Sequence, residues 1–215
     1  MKSILLIGLG RFGRHMAIKF QELKHEVLAI DSNEERVNAI LPYVTNAQIG
    51  DSTNEQFIES LGVRNFDLCV VAIGDSFQSS LETTVLLKDY GAPFILARAN
   101  RDIHAKLLLR NGADHVVYAE KEMAIRAAVK YSCDNVFDYI ELTPDHSIYK
   151  TPVPDNWYGR TILDLNVRQK YHVSILAVKR DNVLEPLPKT NHIFREGESM
   201  LILGANKDIN KFLQI

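Results

Sequence analysis

Short apolar runs alternate with amphipathic stretches along the first two-thirds of the chain. SILLI (3–7) stops at Gly8, and EVLAID (26–31), NAQIGD (46–51), FDLCVVAIGD (66–75), PFILARA (93–99) and HVVYAE (115–120) follow at intervals. Brief runs bounded by turn residues predict strands, 3–7 a buried parallel one, and the most apolar, 66–75, a central one. Between them lie helical patterns. Residues 11–24 place Phe12, Met16, Phe20 and Leu23 at helical spacing, and 32–41 opens on a cap at Ser32 or Asn33. Residues 52–62, 79–91 and 102–112 each run to a glycine, and 121–131 closes the series. Six strands alternating with helices predict an α/β fold, a Rossmann-like doubly wound parallel sheet with right-handed crossovers.

The rhythm changes near Cys133. Residues 139–154 carry three prolines and no helical period, and 161–171 predicts one short helix. Residues 173–188 read as strand, turn at Asp181-Asn182 and strand; 195–213 read as a turn at Glu196-Gly197, a strand at 200–203 and a closing helix. The expected organisation is therefore a nucleotide-binding domain over 1–133 and a small α+β domain over 134–215.

Composition narrows the classes. Among 215 residues, 46% are hydrophobic and the net charge is −2, with 15 basic against 16 acidic residues up to Cys133 and 10 against 11 after it. Neither half has the positive excess of a nucleic-acid binder, so no nucleic-acid partner is expected. The two cysteines, Cys69 and Cys133, form neither a disulfide framework nor a metal knuckle, and Cys69 lies inside an apolar run. No signal peptide and no bilayer-length apolar run is evident, and the expected location is the cytoplasm.

The first strand runs into Gly8-Leu9-Gly10-Arg11-Phe12-Gly13. In a G-x-G-x-x-G turn the first glycine permits the bend, the second admits a pyrophosphate, and the third lets helix pack on strand. Free amides at the helix N-terminus then face the phosphates. Asp31 ends the second strand 18 positions after Gly13, where a carboxylate accepts from an adenosine ribose and repels a 2′-phosphate. The competing reading is a tight turn, with Asp31 capping the next helix. Arg11 reads either as a cation beside the phosphates or as a solvated residue of the first helical turn. Asp51, Ser52, Gly74 and Asp75 follow the third and fourth strands at the ligand-binding edge of such sheets, although Ser52 and Ser76 read equally as helix caps.

A dehydrogenase also needs a proton-transfer group and a substrate domain. The seven histidines stand apart in sequence, and neither a G-x-S-x-G elbow nor a matching YxxxK spacing occurs. Sensing is therefore expected, with a small NAD-dependent oxidoreductase as the alternative.

GLGRFG (8–13), EVLAID, VVAIGD (70–75), GADHVV (112–117) and AEKEMAIRAA (119–128), with LDLNVRQKY (163–171), VSILAVKR (173–180) and REGESMLILG (195–204), resemble the regulator of potassium conductance family (RCK, or KTN). Within it the likeness is to cytosolic subunits of the KtrA/TrkA type. The resemblance implies a homodimer that assembles into an octameric ring. It also implies gating of an integral membrane potassium-translocating subunit of the KtrB/TrkH kind, with the ring at the cytoplasmic face of the membrane. The implied ligands are ATP or ADP, with NAD(H) in some members. Arg11 would contact terminal phosphates, Arg98 would lie near the nucleotide, and Glu120 would lie near the γ-phosphate or a magnesium or other divalent cation. Read without the family, Glu120 is a carboxylate favoured at a helix start. The resemblance further implies cyclic di-AMP at Leu163, Asn166, Arg168, Ile175 and Pro188, though Leu163 and Ile175 read equally as core. Where relatives often have glycine after the tyrosine, this chain has His172.

Overall fold

The computed structural model describes residues 1–132, 135–181 and 183–214. The expected boundary at 133/134, Cys133 and the second residue of the Asp181-Asn182 turn lie outside these. The chain resolves into two compact units, Met1–Lys121 and Glu122–Ile215.

In the first unit, strands β1 (Ser3–Ile7), β2 (Glu26–Asp31), β3 (Asn46–Ile49), β4 (Leu68–Val71), β5 (Ile95–Arg98) and β6 (His115–Val117) form one sheet in the order β3-β2-β1-β4-β5-β6. Every neighbouring pair is parallel. Helices α1 (Arg11–Glu22), α2 (Glu34–Ile40), α3 (Glu55–Ser60), α4 (Phe77–Asp89) and α5 (Asp102–Arg110) make the crossovers, and α6 (Ala119–Ser132) leaves β6 and runs on into the second unit. Successive side chains of β1 alternate between two buried clusters. Leu5 and Ile7 join Cys69, Val71, Leu87 and Leu108, whereas Ile4 and Leu6 join Ala17, Val27, Val37 and Val70. A strand's period of two thus feeds a core on each face of the sheet. Burial pushes the Cys69 thiol up to about 12, which leaves it a small apolar side chain.

The strand order reverses between β1 and β4, so the carboxyl ends of these strands open a crevice there. Asn33 and Asn54 cap α2 and α3, each accepting from the amide three residues on. The cap of α2 is therefore Asn33 rather than Ser32. Ser76 caps α4 through the Ser79 amide. Ser52 caps nothing; its hydroxyl is buried against Thr83 at 2.7 Å.

The second unit holds an antiparallel sheet, β10-β9-β11-β8-β7, made of β7 (Asp138–Thr143), β8 (His146–Pro152), β9 (Val173–Arg180), β10 (Val183–Pro186) and β11 (Ser199–Ala205). Its aromatic core centres on Trp157, whose ring lies 5.5 Å from Phe194 and Phe212 and 5.8 Å from Tyr171. The single short helix expected over 161–171 is two, α7 (Ile162–Leu165) and α8 (Val167–Tyr171), because Asn166 between them adopts φ 46°. Helix α9 (Asn206–Phe212) ends the fold.

Candidate functional site

A cleft of about 690 Å³ opens at the carboxyl edge of the parallel sheet, within the first unit. One wall is the turn from β1 to α1. Gly8 has φ 99°, and a side chain there would meet the Ala72 backbone at 2.9 Å. A Cβ on Gly13 would lie 1.9 Å from the Gly8 carbonyl oxygen, so the third glycine serves the contact of helix with strand. Gly10 differs: a Cβ there would meet nothing within 4 Å. No protein atom requires glycine at this position, and the space beside it belongs to the cleft. Helix α1 starts at Arg11 with no side-chain cap and no acidic residue in its first turn. Its free amides therefore remain available to an anion.

Beside this turn lies Asp31, 7% exposed, at the end of β2. One carboxylate oxygen accepts from the Leu9 amide at 2.6 Å and the other from the Asn33 amide at 2.8 Å. The carboxylate thus ties β2 to the glycine turn and also engages the chain entering α2, and Asp31 lines the cleft. Arg36, on the first turn of α2, spans the rim, 3.5 Å from Asp31 and 3.7 Å from Asp75. Asp51 accepts from the Thr53 amide and hydroxyl, bonds that hold its carboxyl below the usual range.

Charge gathers at the far end. Arg98, at the end of β5, pairs with Glu120, and its guanidinium stands 5.4 Å from the centre of the Phe12 ring. The Arg98 Nε is buried and has no hydrogen-bond partner among the described residues. Arg98 also packs on Gly74 so closely that a Cβ there would sit 2.5 Å from a guanidinium nitrogen. Glu120 is the second residue of α6, and its own backbone amide depresses its carboxyl most, followed by the Arg98 side chain and the charge of Arg11. Among the described residues no group of three or more His, Cys, Asp and Glu is placed to hold a metal. A divalent cation here would take Glu120 as one ligand and draw the others from phosphate and water, the usual habit of magnesium.

Of the residues singled out from sequence, Gly8, Gly10, Arg11, Phe12, Asp31, Asp51, Ser52, Gly74, Asp75, Arg98 and Glu120 all line this cleft, and Gly13 lies just behind it. Thr53, in the segment after β3 at the expected ligand-binding edge, lines it too, as do Arg36, His15, Ser32 and Ser79, which the sequence does not mark as site residues. Arg36 could have been found from its place three residues after the cap of α2, which keeps it at the end of the helix beside Asp31.

In the second unit, Leu163 is 69% exposed, Arg168 is exposed, and Ile175 packs partly against the aromatic core. The Leu163 amide donates to the Thr190 carbonyl, which ties α7 to the segment after Pro188, and the Asn166 side chain donates to Gln169 within the α7–α8 junction. His172 adopts φ 56°, the left-handed conformation that favours glycine. The histidines are not all isolated in space, since His192 sits 3.2 Å from Glu198 and 3.6 Å from Glu185.

Residues 4–119 match the TrkA-N domain, and residues 147–215 match the TrkA-C domain. The chain is 42% identical to the Ktr system potassium uptake protein A of Bacillus subtilis, with 98% of this chain and 95% of that protein aligned. It is 38% identical to the Ktr system potassium uptake protein C of the same organism, covering 98% and 96%. Among solved structures, the GsuK RCK domain superposes with a TM-score of 0.70 at 18% identity, over 99% of this chain and 47% of that one. The GsuK channel bound to NAD gives 0.70 at 18% identity, over 96% and 38%. The chain thus spans less than half of these structural neighbours, and at such identity they share its fold. With both domains matched in order and two Ktr proteins aligned from end to end, the chain belongs to the RCK family of potassium-uptake regulators, as a TrkA-N domain followed by a TrkA-C domain.

Proposed function

We propose that the cleft binds an adenine nucleotide, ATP or ADP before NAD(H), and that its occupancy sets the shape of a ring of copies gating a membrane potassium-translocating subunit of the KtrB/TrkH kind. The ring would be an octamer of dimers' making, held at the cytoplasmic face of the membrane through that partner. The observation that carries this reading is the order of groups along one cleft: a buried carboxylate at one end, free helix amides beside open space at Gly10, and Arg11 and Arg98 with Glu120 at the other. A ribose, a phosphate chain and its terminal charge match that order.

ATP reaches one phosphate further than ADP, toward Arg11 and Glu120. A cation such as magnesium between Glu120 and the terminal phosphate would remove their repulsion. The ring can be moved only by the difference in nucleotide affinity between its two shapes. The described residues include no helix long and apolar enough to cross a membrane, so conduction falls to the partner. An oxidoreductase would need a proton-transfer group at the far end, where Arg98 and Glu120 are instead committed to one another. Cyclic di-AMP, between two second units at Leu163, Asn166, Arg168, Ile175 and Pro188, is a second ligand on this reading.

Thermal unfolding with ATP, ADP, NAD, NADH and cyclic di-AMP, each with and without magnesium, tests the proposal. ATP and ADP should raise the midpoint, and Asp31→Ala should reduce the shift for every adenosine ligand bound in the cleft. A midpoint unmoved by all five would refute it, and substrate-dependent oxidation of NADH would favour the enzyme.

A further inference from the structure

The end of the cleft beside Arg98 is braced by two residues outside it. Gly74 lies in the segment between β4 and α4 and lines the cleft. Its carbonyl accepts from the Asn100 side-chain amide at 3.1 Å. That assignment turns the Asn100 carbonyl oxygen toward His104, whose Nδ1 lies 2.6 Å away. An amide oxygen only accepts, so Nδ1 carries the proton and donates. The His104 ring is 7% exposed and stacks on Phe77, with ring centres 3.9 Å apart and planes within 15°. Phe77 is the first residue of α4, next to the Ser76 cap on the cleft wall. Burial, and then the charge of Arg101, lowers the basicity of His104, which keeps the stacked ring neutral.

One chain of contacts therefore runs from His104 in two directions. Through Asn100 it fixes the Gly74 carbonyl, and through Phe77 it fixes the start of α4. Between these points lie Gly74, Asp75 and Ser76, and against Gly74 packs the Arg98 guanidinium that meets Glu120. We propose that Asn100 and His104 are positioning residues that set how well the cleft distinguishes nucleotides by the length of their phosphate chain. They touch no ligand themselves. They hold the Gly74 backbone in the one place that leaves Arg98 room to lie across it and point to the terminal-phosphate end. Without the Asn100 bond, Gly74 and Arg98 shift together, and a ligand that ends before them is unaffected. The inference rests on the nucleotide reading of the cleft and adds to it the residues that tune selectivity.

Affinities for ATP and AMP, measured by calorimetry on the full chain and three variants, test the idea. His104→Phe keeps a flat ring for Phe77 and removes the donor. Asn100→Ala removes the bond to Gly74. His104→Asn restores a donor at the position of Nδ1 without the ring. The first two should lower the ATP-to-AMP affinity ratio about three- to tenfold, the scale of one lost hydrogen bond, and His104→Asn should keep it within about twofold. Asn100→Ala carries the same test if His104→Phe does not fold. A merely structural role would weaken ATP and AMP alike, and an unchanged ratio in His104→Phe or Asn100→Ala overturns the inference. Should the unaltered protein bind neither nucleotide, the nucleotide reading falls and this inference with it.

Discussion

Gly10 and Gly13 stand three residues apart in one turn, yet they answer to different neighbours. A methyl on Gly13 collides with backbone at 1.9 Å, so Gly13→Ala should cost about 3 kcal/mol, seen as a lower urea midpoint. Gly10→Ala meets no protein atom and should change stability by less than about 0.5 kcal/mol while weakening nucleotide binding. Equal affinity in Gly10→Ala would mean that no ligand approaches the turn. His172 poses the reverse case, a side chain held at φ 56° where glycine costs least. His172→Gly should raise stability by about 0.5–1 kcal/mol in urea unfolding, the relief of left-handed strain less the extra entropy of the unfolded chain.

Helix α6 carries Arg126, which grips both carboxylate oxygens of Asp138 on β7 at 2.9 Å. The Arg126 hydrogen bonds are the first cause that lowers the pKa of Asp138, whose ordinary value is 3.8. A carboxyl depressed on folding stabilises fully above its unfolded value, and that contribution is lost as pH falls through the lower folded value. Stability against urea should therefore fall below about pH 4. Asp138→Asn should flatten part of that decline, by a modest amount because both groups are half exposed. An identical acid limb in the variant would remove Asp138 from the account. Most elements of the first unit could be read directly from the sequence, because buried parallel strands are continuous apolar runs and their helices end at glycine. The β7–β8 hairpin could not, since β8 buries Ser147 and Thr151 along with Tyr149, and only the partner strands reveal the register. The break at Asn166 was hidden likewise, as a left-handed asparagine leaves the apolar spacing intact. In the site, the glycine turn and Asp31 follow from spacing to β1 and β2. Arg36 and the His104 brace depend on contacts between separate crossovers, which no local pattern encodes.

For the molecule as a whole, the two-domain order and the end-to-end likeness to Ktr proteins point to potassium uptake as the setting, and on the proposed reading the cleft is the input. Sensing requires that ATP and ADP favour the two ring shapes to different extents, and on the proposed reading the difference resides at Arg11. Arg11→Glu should cut ATP affinity at least tenfold relative to ADP, about 1.4 kcal/mol, while adenosine binding stays near that of the unaltered protein. In a cell dependent on this uptake system, the variant should assemble with its partner and lose the response of uptake to the nucleotide balance. The most direct measurement is calorimetric titration of the unaltered protein and Arg11→Glu with ATP and with ADP, in the presence of magnesium. The account predicts tighter binding of ATP by the unaltered protein and loss of that preference in the variant; equal losses for ATP and ADP, or no binding at all, would contradict it.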